Sequence, residues 1–280
     1  MAFESIPFTA SPALKQELEF FASTEEGTKI YSGIHSPQDV VHWIENNPDF
    51  LDLKWIVVQL PRAKILDVGV GWGLTTAYLA IHGFDVTCVE PSQESCENMK
   101  AFFSRLQLKI TIIRGIAEAI DHLKDDFGAI IFWSSLHHCD DPVQALKNSY
   151  ERLVPDGQII LFEPVLRFYR TKAWFYRMMK VDPQKVGHYG GNEHIYRYQE
   201  YVEFLKESGF NRIVSKPSQR YFSKPKRAVW DRRARWVLKR LYYWITGMVA
   251  GDRFIVGPVL TKLSMMMPVV IARKDRASLA

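Results

Sequence analysis

The sequence predicts an α/β protein: seven short strands forming a mostly parallel sheet, with helices on both faces. Three observations carry this. Short runs rich in Ile, Val and Phe recur along the chain, helical patterns of about 10 to 15 residues separate most of them, and 47% of the 280 residues are hydrophobic, enough to cover a sheet on both sides. Strands joined through helices imply right-handed crossovers and hence parallel pairing.

The elements follow in order. Residues 1–35 show no strong periodicity and read as a lead-in, partly helical around Leu14 to Phe21, with no residue that carries chemistry. At Ser36-Pro37 an N-cap serine, a proline at the first helical position and Asp39 in the first turn announce a helix through Val40, Val41 and Ile44. A second apolar run, Phe50 to Leu60, stops at Pro61. Strands are then expected at 64–68, 86–90, 110–113, 128–133 and 158–162, with helices at 74–82, 93–106 and 142–153. After the fifth strand the texture turns aromatic and basic. The core resumes with an amphipathic helix from Tyr198 to Ser208, closed by Gly209, and with strands at 210–215 and 268–272. These divisions give a helical cap (1–60), a core (61–163), an insertion (164–197), and a C-terminal part (198–280) that carries a second insertion at about 220–264.

Composition removes several classes of function. Lys and Arg number 36 against 31 Asp and Glu, and a net charge of +5 is too mild to mark a nucleic-acid binder. The three cysteines, Cys88, Cys96 and Cys139, form no CxxC pair and no zinc-ligand spacing, so no metal site is expected and a reducing compartment suits them. The first residues have neither a basic region nor an apolar one, unlike a secretory signal. No apolar run is long enough for a spanning helix, so the expected location is cytoplasmic.

The most informative segment is Asp67-Val68-Gly69-Val70-Gly71-Trp72-Gly73, where a buried strand runs through glycines into a helix. Glycines there let backbone approach a ligand at the C-terminal edge of the sheet. An acid, Glu90, ends the next strand and is placed to accept hydrogen bonds from ribose hydroxyls. A dinucleotide fingerprint would need glycine at position 74, which is Leu74; the third glycine is Gly73 instead, so a nicotinamide oxidoreductase is disfavoured.

At these residues the chain resembles the class I S-adenosylmethionine-dependent methyltransferases, a Rossmann-like family. Asp67, Gly69, Gly71 and Gly73 match its first motif, and Glu90 its ribose-binding acid. Gly115-Ile116-Ala117-Glu118 stands at the adenine-binding turn, His137-His138-Cys139-Asp140-Asp141-Pro142 at the motif after strand four, and Leu153-Val154-Pro155-Asp156-Gly157 before strand five. The resemblance covers roughly residues 61–163. It implies S-adenosyl-L-methionine as cofactor, held by Asp67, Gly69, Gly71, Gly73, Glu90, Ala117 and Glu118. Many relatives carry Asp where this chain has Ile116, which leaves adenine to Ala117 backbone groups, Glu118 or apolar packing.

Methyl transfer to a hydroxyl needs alignment in a dry pocket and a group to take the proton. His137 and His138 follow strand four directly, and at least one is expected to face the pocket as general base; the alternative is that they brace the loop. In the insertion after strand five, His188, Tyr189, His194 and Tyr196 are candidate acceptor contacts, by the family's use of that segment as a lid. The implied reaction is O-methylation of a small-molecule, glycan or lipid-linked hydroxyl. N- or C-methylation, or a methyltransferase-like binding protein without turnover, are the alternatives.

The second insertion concentrates charge. Residues 220–240 hold nine Lys or Arg and one acid, Asp231. Trp230, Ala234, Val237, Leu241, Trp244 and Met248 recur on one helical face there. Three readings stand: an anionic membrane surface or lipid-linked acceptor, an acidic acceptor or nucleic acid, or packing on the core or on a second subunit, as in a homodimer. Nucleic acid ranks last, because no recognised nucleic-acid module accompanies the insertion.

Overall fold

A computed structural model describes residues 3–23, 31–166, 171–173, 175, 177, 194–218 and 268–275. The strands form one sheet in the order β1-β4-β3-β2-β5-β6-β8-β7. In chain order they are β1 (Glu4–Ser5), β2 (Ile65–Val68), β3 (Val86–Glu90), β4 (Thr111–Arg114), β5 (Phe127–Trp133), β6 (Leu153–Phe162), β7 (Arg212–Pro217) and β8 (Pro268–Arg273). β1 to β6 pair in parallel, whereas β8 runs antiparallel between β6 and β7.

The alternation of side chains along each strand builds two cores. Leu66, Val68, Ile130 and Phe132 point to one face, against α6 (Pro142–Arg152) and α7 (Tyr198–Glu207). Ile65, Val86, Ala129 and Ile131 point to the other, against α3 (Leu51–Gln59) and α4 (Leu74–Ile81). Because both faces are covered, the central strands read as continuous apolar runs rather than as alternating ones. α2 (Pro37–Asn46) and α5 (Gln93–Arg105) close the second layer with Val40, Ile44, Met99 and Phe103.

Local chemistry sets the element ends. Ser36 and Asp39 make the reciprocal capping box that starts α2, with the Asp39 backbone N–H donating to Ser36 Oγ at 3.3 Å and the Ser36 N–H to Asp39 Oδ2 at 2.8 Å. α7 ends where Gly209 takes φ 100°. The Phe210 N–H then reaches back to the Leu205 carbonyl, and that of Gly209 to Lys206, which is a Schellman motif. This turn consumes Phe210, so β7 begins at Arg212 rather than at the expected residue 210.

The lead-in departs most from its reading. Glu4 and Ser5 add an eighth strand, in register with Ile113 and Arg114 of β4. α1 (Pro12–Ser23) is a full helix whose Leu14 and Glu17 are buried. Ile6 fills the space that a Gly115 side chain would need, 2.4 Å from a Cβ built there. The segment is thus part of the sheet and of the cleft described next, not a chemically silent leader. The second insertion, 220–264, lies outside the described residues.

Candidate active site

The cleft opens over the C-terminal ends of β2, β3, β4 and β5, where the strand order reverses beside β2. Its floor is the glycine loop. Gly69 has φ 67°, and a Cβ there would lie 2.5 Å from Ser135 Cβ; the absent side chain lets Ser135 Oγ donate to the Val68 carbonyl at 2.6 Å. Gly71, at φ 53°, has nothing within 4 Å of a built Cβ. Its missing side chain leaves an open cradle facing the cleft.

Glu90 stands beside that cradle. It is buried at the end of β3, accepting the Gly71 N–H at 3.0 Å on Oε2 and the Ser92 N–H at 3.1 Å on Oε1. Withdrawal from water pushes its carboxyl up to about 7 against the two amide bonds that favour ionisation. Ala117 and Glu118 line the next wall, after β4. Glu118 Oε1 accepts the Asp141 N–H at 3.1 Å, and burial raises its carboxyl above the usual range. Val68, Val89, Ile116 and Phe132 supply an apolar lining.

Two of the expected cofactor residues sit behind this wall. Asp67 is 1% exposed and accepts the Thr76 hydroxyl at 2.7 Å, tying β2 to α4; burial pushes its carboxyl up to about 7. Gly73, at φ 68°, begins α4 with its Cα side against Met99 and Phe103. Both shape the loop rather than line the cleft.

The two histidines part company as well. His138 lines the cleft, with Nδ1 3.0 Å from Glu17 Oε1. His137 is buried behind the turn Leu136–His138, with Nδ1 2.6 Å from Glu163 Oε2. Glu163 is a residue the sequence reading passed over. Its Oε1 accepts the N–H groups of Ser135 and Leu136 at 3.0 and 2.9 Å, and its Oε2 that of His137 at 3.4 Å. One buried carboxylate thus holds the whole turn that presents His138. Its place, an acid at the C-terminal end of a parallel strand, is the signal that also marks Glu90.

Among the acceptor candidates, His194 donates its backbone N–H to the His137 carbonyl at 3.1 Å. Tyr196 packs edge-on against Tyr201 and Phe204, with ring centroids at 5.5 and 5.0 Å. Neither belongs to the cleft wall formed by the described residues. His188 and Tyr189 lie outside the described residues. The N-terminal helix contributes Leu14, Glu17 and Leu18 to that wall, which no periodicity in residues 1–35 had indicated. No group of metal-ligating side chains occurs among the described residues.

Residues 65–157 match the family model described as a methyltransferase domain. The ubiquinone biosynthesis O-methyltransferase of Rickettsia typhi is 26% identical over 157 residues, 56% of this chain and 60% of that protein. The chloroplastic 2-methyl-6-phytyl-1,4-hydroquinone methyltransferase 2 of Oryza sativa subsp. japonica is 25% identical over 67% of this chain and 49% of its own. The chain thus spans about half to three fifths of the length of these relatives. Among solved structures, phosphoethanolamine N-methyltransferase 2 of Haemonchus contortus, in complex with S-adenosyl-L-methionine, superposes with a TM-score of 0.55 at 14% identity, covering 96% of this chain and 61% of that one.

Proposed function

Because residues 65–157 match a methyltransferase-domain model, we propose that the chain is a class I S-adenosylmethionine-dependent methyltransferase that transfers a methyl group to a hydroxyl of a small or lipid-linked acceptor, with His138 taking the proton. The observation that carries this reading is that Glu90, the open Gly71 cradle and His138 line a single cleft. The residues present fit the cofactor. Glu90 offers a buried carboxylate for the ribose hydroxyls, Gly71 leaves room for close approach of the backbone, and Ala117, Glu118 and the apolar wall would face the adenine. When bound, S-adenosyl-L-methionine supplies an electrophilic methyl carbon. Asp67 and Gly73 hold the shape of the loop from beneath, and Glu163 holds the turn that presents His138.

The protein's share of the chemistry is positioning and proton removal. A hydroxyl becomes an effective nucleophile as its proton leaves, and a neutral imidazole is the side chain best matched to that step near pH 7. The apolar wall of Val68, Val89, Ile116 and Phe132 would limit the water that otherwise hydrates the nucleophile.

The names of both relatives speak of quinone chemistry, and that of the first speaks of O-methylation, which supports a phenolic hydroxyl on a quinol-type ring as the acceptor. A lipid-linked acceptor also suits the cationic residues 220–264, which would bring the protein to an anionic membrane surface. His188 and Tyr189 remain the acceptor contacts in this reading, whereas His194 and Tyr196 stand outside the cleft wall formed by the described residues. The test is incubation of the purified chain with S-adenosyl-L-methionine and a panel of hydroxylated acceptors, alkylated ortho-diphenols included, read by mass spectrometry. Gain of one CH2 in a phenol, placed on oxygen by fragmentation and lost in His138→Gln, is the expected result. Binding of the cofactor with no transfer to any hydroxyl, or transfer only to amines, would overturn the O-methylation reading.

A further inference from the structure

We propose that Glu17, on the N-terminal helix, is a positioning residue that fixes the tautomer of His138 so that Nε2 is the nitrogen that takes the acceptor's proton. This rests on the reading of His138 as the base. Glu17 is 7% exposed on the side of α1 that faces the cleft, one turn on from Leu14. A carboxylate so withdrawn from water is costly unless a partner compensates for the lost hydration. Its Oε1 lies 3.0 Å from His138 Nδ1, and both side chains line the cleft that also holds Glu90 and Gly71.

The approach is built from both sides. Ser11 starts α1 by accepting the Leu14 N–H on Oγ at 3.1 Å, and the same hydroxyl lies 3.2 Å from Asp140 Oδ1, two residues beyond His138. The helix therefore meets the histidine loop at Ser11 and again at Glu17. From the opposite side, Glu163 clamps the backbone of the turn. The Glu17–His138 contact is at ion-pair distance, and such contacts commonly tighten when a site fills.

The chemistry follows from the imidazole's two nitrogens. A carboxylate beside Nδ1 favours the neutral form with the proton on Nδ1, which places the lone pair on Nε2. As the O–H bond of the acceptor breaks, that proton forms the Nε2–H bond while the oxygen bonds the methyl carbon; the methyl carbon–sulfur bond breaks in the same displacement, its electron pair stays on sulfur, and the neutral thioether is the leaving group. The resulting imidazolium then faces the Glu17 carboxylate, which stabilises its charge.

Nitrogen-15 NMR of the full chain, without cofactor and at roughly pH 8 where imidazoles are ordinarily neutral, reads the tautomer directly, with His138→Gln assigning the signal. The expected result is an Nδ1–H tautomer in the wild-type protein and the Nε2–H form in Glu17→Gln, with kcat on an alkylated ortho-diphenol reduced at least about tenfold and a smaller change in KM. Glu17→Asp, which keeps the charge, should retain the Nδ1–H tautomer and part of the rate; it also serves if the Gln variant fails to fold. An unchanged tautomer in folded Glu17→Gln, or a changed tautomer with full kcat, would overturn the proposal. Full turnover by His138→Gln would instead overturn the reading of His138 as the base, which separates the two failures.

Discussion

At the scale of single residues, the two inner glycines of the loop do different work. A Gly71→Ala methyl would stand in open cleft, with nothing within 4 Å beyond its adjoining residues, while a Gly73→Ala methyl would meet Met99 Sδ and Phe103 Cζ at 2.7 Å. Both positions have positive φ, which costs an L-residue about 1–2 kcal/mol. Gly71→Ala should therefore lose cofactor binding in calorimetry with only that modest loss of stability. Gly73→Ala should lower the melting temperature further, because packing strain of about 1–3 kcal/mol adds to the backbone term. Equal losses of stability in the two variants would contradict this division. The glycines and Glu90 were legible in the sequence because their spacing around a strand is itself the signal. Glu17 was not, since a lone acid in an aperiodic segment carries no pattern, and only packing of α1 over the cleft brings it to His138.

At the scale of elements, the short turn Leu136–His138 depends on a residue from another strand. Glu163 follows β6 and satisfies three N–H groups of the stretch Ser135–His137 that a three-residue helix leaves unpaired. In Glu163→Gln an amide NH2 replaces one acceptor and would face donors. We expect a stability loss of roughly 1–3 kcal/mol in urea unfolding, together with a fall in turnover that exceeds any fall in cofactor affinity. Affinity and turnover falling in parallel would mean that the turn serves the glycine loop rather than His138. The helices and central strands were readable because capping residues and apolar runs are local. The Ser36 capping box and the Gly209 stop are examples, each encoded within a few residues. The two-residue strand β1 was not readable: its pairing with β4 spans more than a hundred residues of chain, and two residues make no period.

At the scale of the whole molecule, the fold keeps two carboxyls out of water beneath one loop. Asp67 and Glu90 are each pushed up to about 7, from ordinary values of 3.8 and 4.5, by burial. The folded chain therefore binds more protons than the unfolded chain between those values and about pH 7. The two groups accordingly lower stability as pH rises through that window and add no further slope above it. Each contributes a slope of up to about 1.4 kcal/mol per pH unit. Urea unfolding from pH 5 to 8 should show Asp67→Asn flattening this decline relative to wild type, and identical slopes would refute the assignment. The charge distribution belongs to this scale too. With residues 220–240 set aside, 27 Lys and Arg face 30 Asp and Glu, so the core is mildly acidic, in keeping with a cleft lined by Glu17, Glu90 and Glu118.

By itself the sequence determined the parallel sheet, its helices and the cofactor loop, because each is written in neighbouring residues: periodicity, caps, and glycines at fixed spacing from an acid. Tertiary structure alone decided which histidine meets the cleft, that Asp67 braces rather than lines it, and that Glu17 and Glu163 flank the candidate base. His137 and His138 are adjacent in the chain and alike in chemistry. Only the turn's orientation, fixed by a carboxylate 26 residues away, sends one ring into the wall and the other to the cleft.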